Sequence, residues 1–416
     1  PLALEEGEWR QFWITVRVPA DVPGGAYAGT LAFTADGKDA GTLPVRLTVH
    51  PFRLPRAATH YNVDRPMFGT WMHHCGIAEK LREKEGERGS FDLARSLRRL
   101  ENEYRNMAEH NMVNPWATCA GEFGEWTVAV MKRAGCETRP FFGGPSISFK
   151  FAIMSIYPPA PGADISVEGN FESWTKEMVA YTNTAREAMA EVEKVLGHRD
   201  VSSYAYDEGG DEFVRRDMPF FATLNTFGGK TFVTGGSPGG MAFMTDMNDA
   251  SGTPSAERSL HWHEGGSMLE TYATPHSGPE NPDIWRRRKG LGLWYADLDG
   301  INEYIWYEGK HIWNEFLDGP GTEYRNFCIV YPTADGVIDT VAWEGQREGF
   351  DDIRYLTLLK RLARAAMRSG KAELVKAGRE TGAWIELLDW RKGDLDELRL
   401  ATAEKIVALS GALRKS

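Results

Sequence analysis

Residues 201–213 read VSSYAYDEGGDEF. The first six are small, β-branched or aromatic, the composition of a short strand. They follow a run over 171–196 in which Trp174, Met178, Tyr181, Ala185, Ala188, Val192 and Val195 recur at helical spacing, with Gly197 as the stop. A long amphipathic helix feeding a short strand is half of a βαβ unit, the connection that parallel strands require. After the strand, four carboxylates fall together: Asp207, Glu208, Asp211 and Glu212. Asp211 and Glu212 suit the first turn of a following helix, where acids favour the helix N-terminus. That leaves Asp207 and Glu208 at the carboxyl end of the strand.

The same unit recurs on either side. Ser90 is a candidate N-cap for a helix carrying Leu93, Leu97, Leu100, Tyr104 and Met107 on one face, and NMVNPWAT reads as the strand after it. KTFVTGG, MLETYATP, INEYIWYE and FCIVYP are further strand candidates, and Ile353, Leu356, Leu359, Ala363 and Met367 mark a later helix. Repeated βα units give an α/β protein, either an open doubly wound sheet or a closed (β/α)8 TIM-like barrel. No GxGxxG or GxxxxGK[ST] loop follows any candidate strand, which favours the barrel, over residues 56–370. Ahead of it, QFWITVRV, AYAGTLAFTA and TLPVRLTV alternate with VPGG and DGKDAG turns, predicting a β-sandwich segment over 1–55, expected to be incomplete, with Pro51 and Pro55 marking a linker. Residues 371–416 read as a C-terminal helical extension on the outside of the barrel, with Leu395, Leu398, Thr402, Ile406, Leu409 and Leu413 on its buried stripe.

Composition narrows the partners. The 416 residues are 42% hydrophobic, enough for a large core. With 59 acidic against 48 basic residues, a net charge of -11 and no basic run, neither a nucleic acid nor an anionic membrane surface is the expected partner. A neutral ligand fits better. No apolar run is long enough to span a membrane, and the opening PLALEEGEWR lacks the basic and apolar regions of a leader. Cys75, Cys119, Cys136 and Cys328 are scattered without a CxxC pair, as buried thiols are.

At a barrel rim, where the chain turns out of the strand, Asp207 and Glu208 can both reach the mouth. Two carboxylates in different surroundings can have their pKa values pushed apart, leaving one ionised and one protonated. Glycoside cleavage uses such a pair: the leaving oxygen receives a proton while positive charge at the anomeric carbon is met from elsewhere. An acid cluster beside two glycines also reads as a solvated loop, and on residues alone both readings stand. The aromatic content, 14 Trp, 14 Tyr and 20 Phe, offers flat faces of the kind a pyranose stacks on as well as ordinary core.

Taken in order, several stretches resemble glycoside hydrolase family 123 and the wider group of barrel proteins around it, over nearly the whole chain. FWITVRVPADVPGGAYAGTLAF through VRLTVHPFRLP is similar to the sandwich that precedes the barrel there, and YAYDE to the strand bearing an Asp-Glu dyad. RRRKGLGLWYADLDGINEYIW and IVYPTADGVIDTVAWEGQREGFDDIRYLTLL resemble its late Arg-Gly, Asp-Gly and Trp pattern and its closing strand and helix. The chain departs from the group at Gly209, where Pro is usual, and at DTVAWEGQRE, where a Ser-Ile-Arg sequence is common.

The resemblance implies a retaining β-N-acetylgalactosaminidase type of reaction, in which the substrate's own 2-acetamido group attacks the anomeric carbon. Glu208 would be the general acid and then base, and Asp207 would orient the acetamide and stabilise its developing charge. It also implies an oligosaccharide or glycoconjugate substrate, no cofactor, and a secreted or periplasmic location. The oligomeric state is not set by any of these residues. An alternative counts INEYIWYE as the seventh strand, pairing Glu208 as acid/base with Glu308 as nucleophile on sugars without an acetamide. A carbohydrate-binding relative without turnover is the third possibility. Trp306, Tyr272, Trp71 and Trp343 are candidates for the sugar-stacking wall. The HWHE set of His261, His263 and Glu264 and the MHHC set of His73, His74 and Cys75 hold metal-ligand types but no complete ligand set, so no metal is expected.

Overall fold

In the computed structural model, residues 3, 5, 7–9, 12–71, 93–119, 121–144, 168–206, 208, 211–235, 240–243, 245–272, 281–307 and 328–415 are described. They form two compact units, Arg56–Thr357 on the one hand and Pro1–Pro55 with Leu358–Ser416 on the other.

The chain opens with an antiparallel hairpin, β1 (Gly25–Ala35) and β2 (Lys38–Val49), turned at Asp36 and Gly37, both at positive φ. Among the described residues no second sheet pairs with it, and QFWITVRV forms no strand from Phe12 onward. The fold expectation holds here only as a hairpin.

The larger unit contains β3 (Phe68–Gly69), α1 (Leu93–Glu109), α2 (Gly121–Ala134), β4 (Phe141–Gly143), α3 (Glu168–Leu196), β5 (Val201–Tyr206), α4 (Asp211–Thr226), β6 (Lys230–Thr234) and β7 (Met247–Ala250). It continues through α5 (Ala256–Glu264), β8 (Met268–Thr271), a helical stretch made of α6 (Pro282–Arg286), a π turn (Arg287–Leu291) and α7 (Gly292–Tyr295), then β9 (Gly300–Ile301), β10 (Val330–Pro332), β11 (Val337–Asp339) and the start of α8 (Val341–Met367). Strands β4 to β8 form a five-stranded parallel sheet in sequence order. A doubly wound sheet would reverse its order at a switch point. This one never does.

Hydrogen bonds carry the ladder further on both sides. On one side, Ala117 N donates to Phe142 O at 2.9 Å and Trp116 N to Trp71 O at 3.2 Å, so residues 112–119 lie between β4 and β3. On the other, Asp299 N donates to Leu269 O at 2.9 Å and Asn302 N to Thr271 O at 3.3 Å, which sets β9 beside β8. β9 in turn pairs in parallel with β3, through Phe68 N to Asp299 O and Thr70 N to Ile301 O, both 2.8 Å. The bonds thus pass through eight strand positions and return to the first, as in a (β/α)8 barrel.

This ring corrects the strand count. The seventh position is β8, and INEYIWYE contributes only its first residue to the eighth, while FCIVYP supplies β10 of a separate hairpin with β11. Short apolar runs carry no label of their partner, so their order cannot be counted from composition.

One layer of side chains fills the ring. Phe68, Phe142, Phe232 and Met247 pack in a single buried cluster with Trp116, Tyr204 and Met268, a residue from each of the first seven positions. Those residues therefore point inward, and by strand alternation so do the residues two further along.

After α8 come α9 (Ala372–Glu386) and α10 (Leu395–Arg414), the latter capped by Asp394, whose side chain accepts from the Asp396 and Glu397 amides. Ala363, Ala366, Leu374 and Leu409 form their shared core, with Leu413 against it. The boundary between the two units falls inside α8, near Thr357. No helix among the described residues is long and apolar enough to cross a membrane.

Candidate active site

Two residues beyond the apolar layer, the inward positions become polar. Thr70, Thr234, Asp249 and Glu270 stand there on the first, fifth, sixth and seventh strands, with Asn302 after the eighth. Asp249 is the direct register partner of both Thr234 and Glu270, so the three share one level. Since all strands run the same way, this level faces the carboxyl-terminal mouth, where barrel enzymes hold their chemistry.

Glu208 joins it from the fourth strand. Its backbone lies at φ 52, a left-handed conformation that costs a residue with a Cβ and that recurs at functional sites. The Glu208 N–H donates to Thr234 Oγ1 at 2.9 Å, and Tyr204 OH and Thr234 Oγ1 are 3.1 Å apart. Tyr272, two residues past Glu270 and so on the same inward line, donates its phenol to Glu208 Oε1 at 2.8 Å. Burial, then the bond to Glu208 and its charge, push the Tyr272 phenol well above its usual range, so it acts as a donor throughout the neutral region. Glu208 itself is exposed.

Beneath this pair the carboxyls are of another kind. Glu270 is fully buried; Thr70 Oγ1 donates to its Oε2 at 3.1 Å, while Oε1 finds no partner among the described residues. Burial pushes its carboxyl up to about 8, against the Thr70 bond, with Asp299 adding a smaller rise. Asp249 is raised well above its ordinary value, by burial first and then by Glu270. Gly300 leaves the room that Glu270 occupies: a Cβ there would stand 2.5 Å from Glu270 Oε1 and 2.4 Å from Phe68 O. The mouth thus has an accessible Glu208 carboxyl held by a phenol above two buried carboxyls, Asp249 and Glu270, whose pKa values burial raises. Such separation of environments is what divides acid from anion in an active site.

The remaining sequence candidates fall elsewhere. Trp71 follows inward-facing Thr70, so it points to the helix side, where it packs on Trp285 (6.0 Å between ring centres) and Trp343 (5.5 Å). Trp306 packs on Trp343 at 4.7 Å, and all three candidate tryptophans are fully buried. As placed they are packing between sheet and helices, with no open ring face. Asp207, Glu308 and the MHHC set lie outside the described residues. HWHE sits on helix α5, not a strand, and His263 Nε2 is spent on Asp299 Oδ2 at 3.0 Å, beside Tyr61 OH and the Leu269 N–H on the same carboxylate. It anchors the start of β9.

No known family model matches the sequence, and no curated protein matches it significantly. Among solved structures, the chain is similar to a β-glucuronidase from Ruminococcus gnavus (8% identity, TM-score 0.36), covering 78% of this chain and 56% of that one. It is similar in the same degree to a β-glucuronidase from Parabacteroides merdae (10% identity, TM-score 0.36), covering 80% of this chain and 43% of that one. A glycoside hydrolase family 5 mannosidase from Rhizomucor miehei gives 11% identity and a TM-score of 0.36, over 72% of this chain and 94% of that one. The chain therefore spans about half the length of the two glucuronidases. Likeness this loose carries no argument about the reaction, which rests on the mouth itself.

Asp249 and Glu270 were missed in the sequence. The signal was there: in MLETYATP, Met268, Glu270 and Tyr272 alternate, so one strand face runs from core to acid to phenol.

Proposed function

We propose that the protein is a retaining glycoside hydrolase acting on β-linked N-acetylhexosaminides, N-acetylgalactosamine foremost, with the substrate's acetamide as nucleophile. The observation that carries the reading is Glu208 at the carboxyl end of the fourth strand, exposed, in a left-handed conformation, with the Tyr272 phenol on its Oε1. Glu208 protonates the leaving oxygen and then, as carboxylate, takes a proton from the water that opens the cyclised intermediate. Tyr272 supports the carboxylate in that second step. Asp207 holds the acetamide nitrogen and meets its growing charge. Substrate-assisted cleavage needs no protein nucleophile, so neighbouring acids suffice. The family 123 resemblance further makes the β1–β2 hairpin part of a sandwich, residues 371–416 an extension of the barrel protein, and the location secreted or periplasmic.

The strand count favours a second reading in a changed form. With β8 as the seventh position, an acid facing Glu208 from that strand is Glu270, not Glu308. It would serve as nucleophile on sugars without an acetamide. Its carboxyl, pushed up to about 8, is protonated near neutrality and is a poor nucleophile in the ligand-free protein, which keeps this reading second.

The test is hydrolysis of aryl β-glycosides of N-acetylgalactosamine, N-acetylglucosamine, galactose and glucose by wild type, Asp207→Ala and Glu270→Gln. Cleavage confined to the acetamido sugars and lost in Asp207→Ala supports the dyad, and a thiazoline mimic of the cyclised intermediate should then inhibit. Cleavage of galactoside or glucoside that is lost in Glu270→Gln moves the reaction to the second reading. No cleavage of any of them would point to a carbohydrate-binding protein.

A further inference from the structure

Away from the mouth, three ligand-type side chains converge where α1 ends and α8 begins. His110 follows the last turn of α1, Asp339 ends β11, and Glu344 lies in the first turn of α8. One donor atom from each lies within 4.8 Å of the others. His110 Nε2 stands 3.9 Å from Asp339 Oδ2 and 3.9 Å from Glu344 Oε1. Those distances are too long for hydrogen bonds. His110 is only 4% exposed, and its Nε2 has no hydrogen-bond partner among the described residues.

The surroundings settle which way each group presents itself. His110 Nδ1 lies 2.8 Å from the Asn106 carbonyl, which can only accept, so Nδ1 carries a proton and it is Nε2 of the neutral ring that would offer a lone pair toward the two carboxylates. Asp339 is held through its other oxygen by Asn106 Nδ2 at 2.7 Å, and Glu344 through its other oxygen by Arg347 Nε at 2.8 Å. The Asn106 side-chain oxygen in turn accepts from Trp343 Nε1 at 2.9 Å, and the His110 ring stacks on Trp343 at 4.8 Å. Each convergent group is thus oriented by a partner on its far side, the outer arrangement that metal-ligating histidines and carboxylates share.

We propose that His110, Asp339 and Glu344 bind a divalent first-row transition cation, with zinc the best match. The borderline imidazole nitrogen beside two hard carboxylate oxygens suits zinc better than magnesium or calcium with their all-oxygen preference. Two bonds of about 2.0–2.2 Å meeting at an open angle span nearly the observed separations, so modest closure of the three side chains completes the site. The cation would add positive charge beside the exposed Asp339 and the buried Glu344, the latter already paired with Arg347 on its other oxygen. It ties the β10–β11 hairpin and the start of α8 to the end of α1.

The experiment is zinc binding by the chelator-stripped full chain, followed by equilibrium dialysis and by melting, for wild type, His110→Gln and Asp339→Asn. The expected result is one equivalent of zinc per wild-type chain, a melting temperature raised by zinc and lowered by chelator, and affinity at least about 100-fold lower in both variants. X-ray absorption of the wild-type complex should show one imidazole with oxygen ligands and no sulfur. Absence of stoichiometric uptake by wild type, uptake unchanged in the variants, or a sulfur ligand would each overturn the assignment. If His110→Gln does not fold, Asp339→Asn, which keeps shape and the Asn106 contact, decides the matter with the absorption spectrum.

Discussion

At the scale of single residues, the mouth makes its carboxyls differ by what surrounds them. Glu208→Gln should lower turnover of glycosides with poor leaving groups by about 100-fold or more, with much less effect on activated aryl glycosides that need no proton. Steady-state rates on the two leaving-group classes check this. Tyr272→Phe removes one bond to Glu208, worth about 1.5–3 kcal/mol, so kcat/KM should fall by about 10- to 100-fold and the melting temperature by a few degrees at most. Glu270 gives a prediction on stability. Its folded value of about 8 lies above the ordinary 4.5, so the folded chain keeps a proton that the unfolded chain has released, and stability is full below about 4.5 and falls as pH rises toward 8. Glu270→Gln removes that fall. Thermal melts should show the variant gaining on wild type from about pH 5 to pH 8, by an amount on the order of a few kcal/mol; a difference independent of pH would mean Glu270 is already ionised in the fold.

At the scale of elements, the late motif that resembles family 123 has a packing explanation. RRRKG and QREG lie on α6 with its π turn and on α8, and these two helices meet at Gly290 and Gly349, where a Cβ on Gly290 would stand 2.5 Å from Gly349 Cα. Arg286 grips Asp352 across the same contact with two bonds, 2.7 and 3.2 Å, and Lys289 pairs with Glu303 in full burial. Two backbones can come this close only where neither carries a side chain. Gly290→Ala or Gly349→Ala should therefore cost about 1–3 kcal/mol in denaturant unfolding, as overpacking does. The helices themselves were legible in sequence: the stripes through Leu100, Tyr104 and Met107 and through Tyr181, Ala185, Ala188 and Val192 are buried. Helical periodicity is a local signal, and burial obeys it. The very short strands were less so, because two or three paired residues leave little alternation to read.

At the scale of the whole barrel, closure depends on one short seam between β9 and β3. If the ring is shut, the amides of Phe68, Thr70, Asp299 and Asn302, all bonded across that seam or beside it, should exchange with solvent as slowly as those of β5 and β6. Fast exchange confined to these four would open the ring there. The alternation of helix and strand, the position of Asp207 and Glu208 directly after VSSYAY, and the absence of a phosphate-binding loop are legible in the chain alone, because each lies in neighbouring residues. Which strand is the seventh, that Glu270 and Asp249 stand level under Glu208, that Tyr272 reaches Glu208 while the rings of Trp71, Trp306 and Trp343 are buried against one another, and that His110 meets Asp339 and Glu344 are visible only in three dimensions. Strand order and the side a residue faces are set by partners far along the chain, and pairing across 64 to 200 positions leaves no local trace in composition or period.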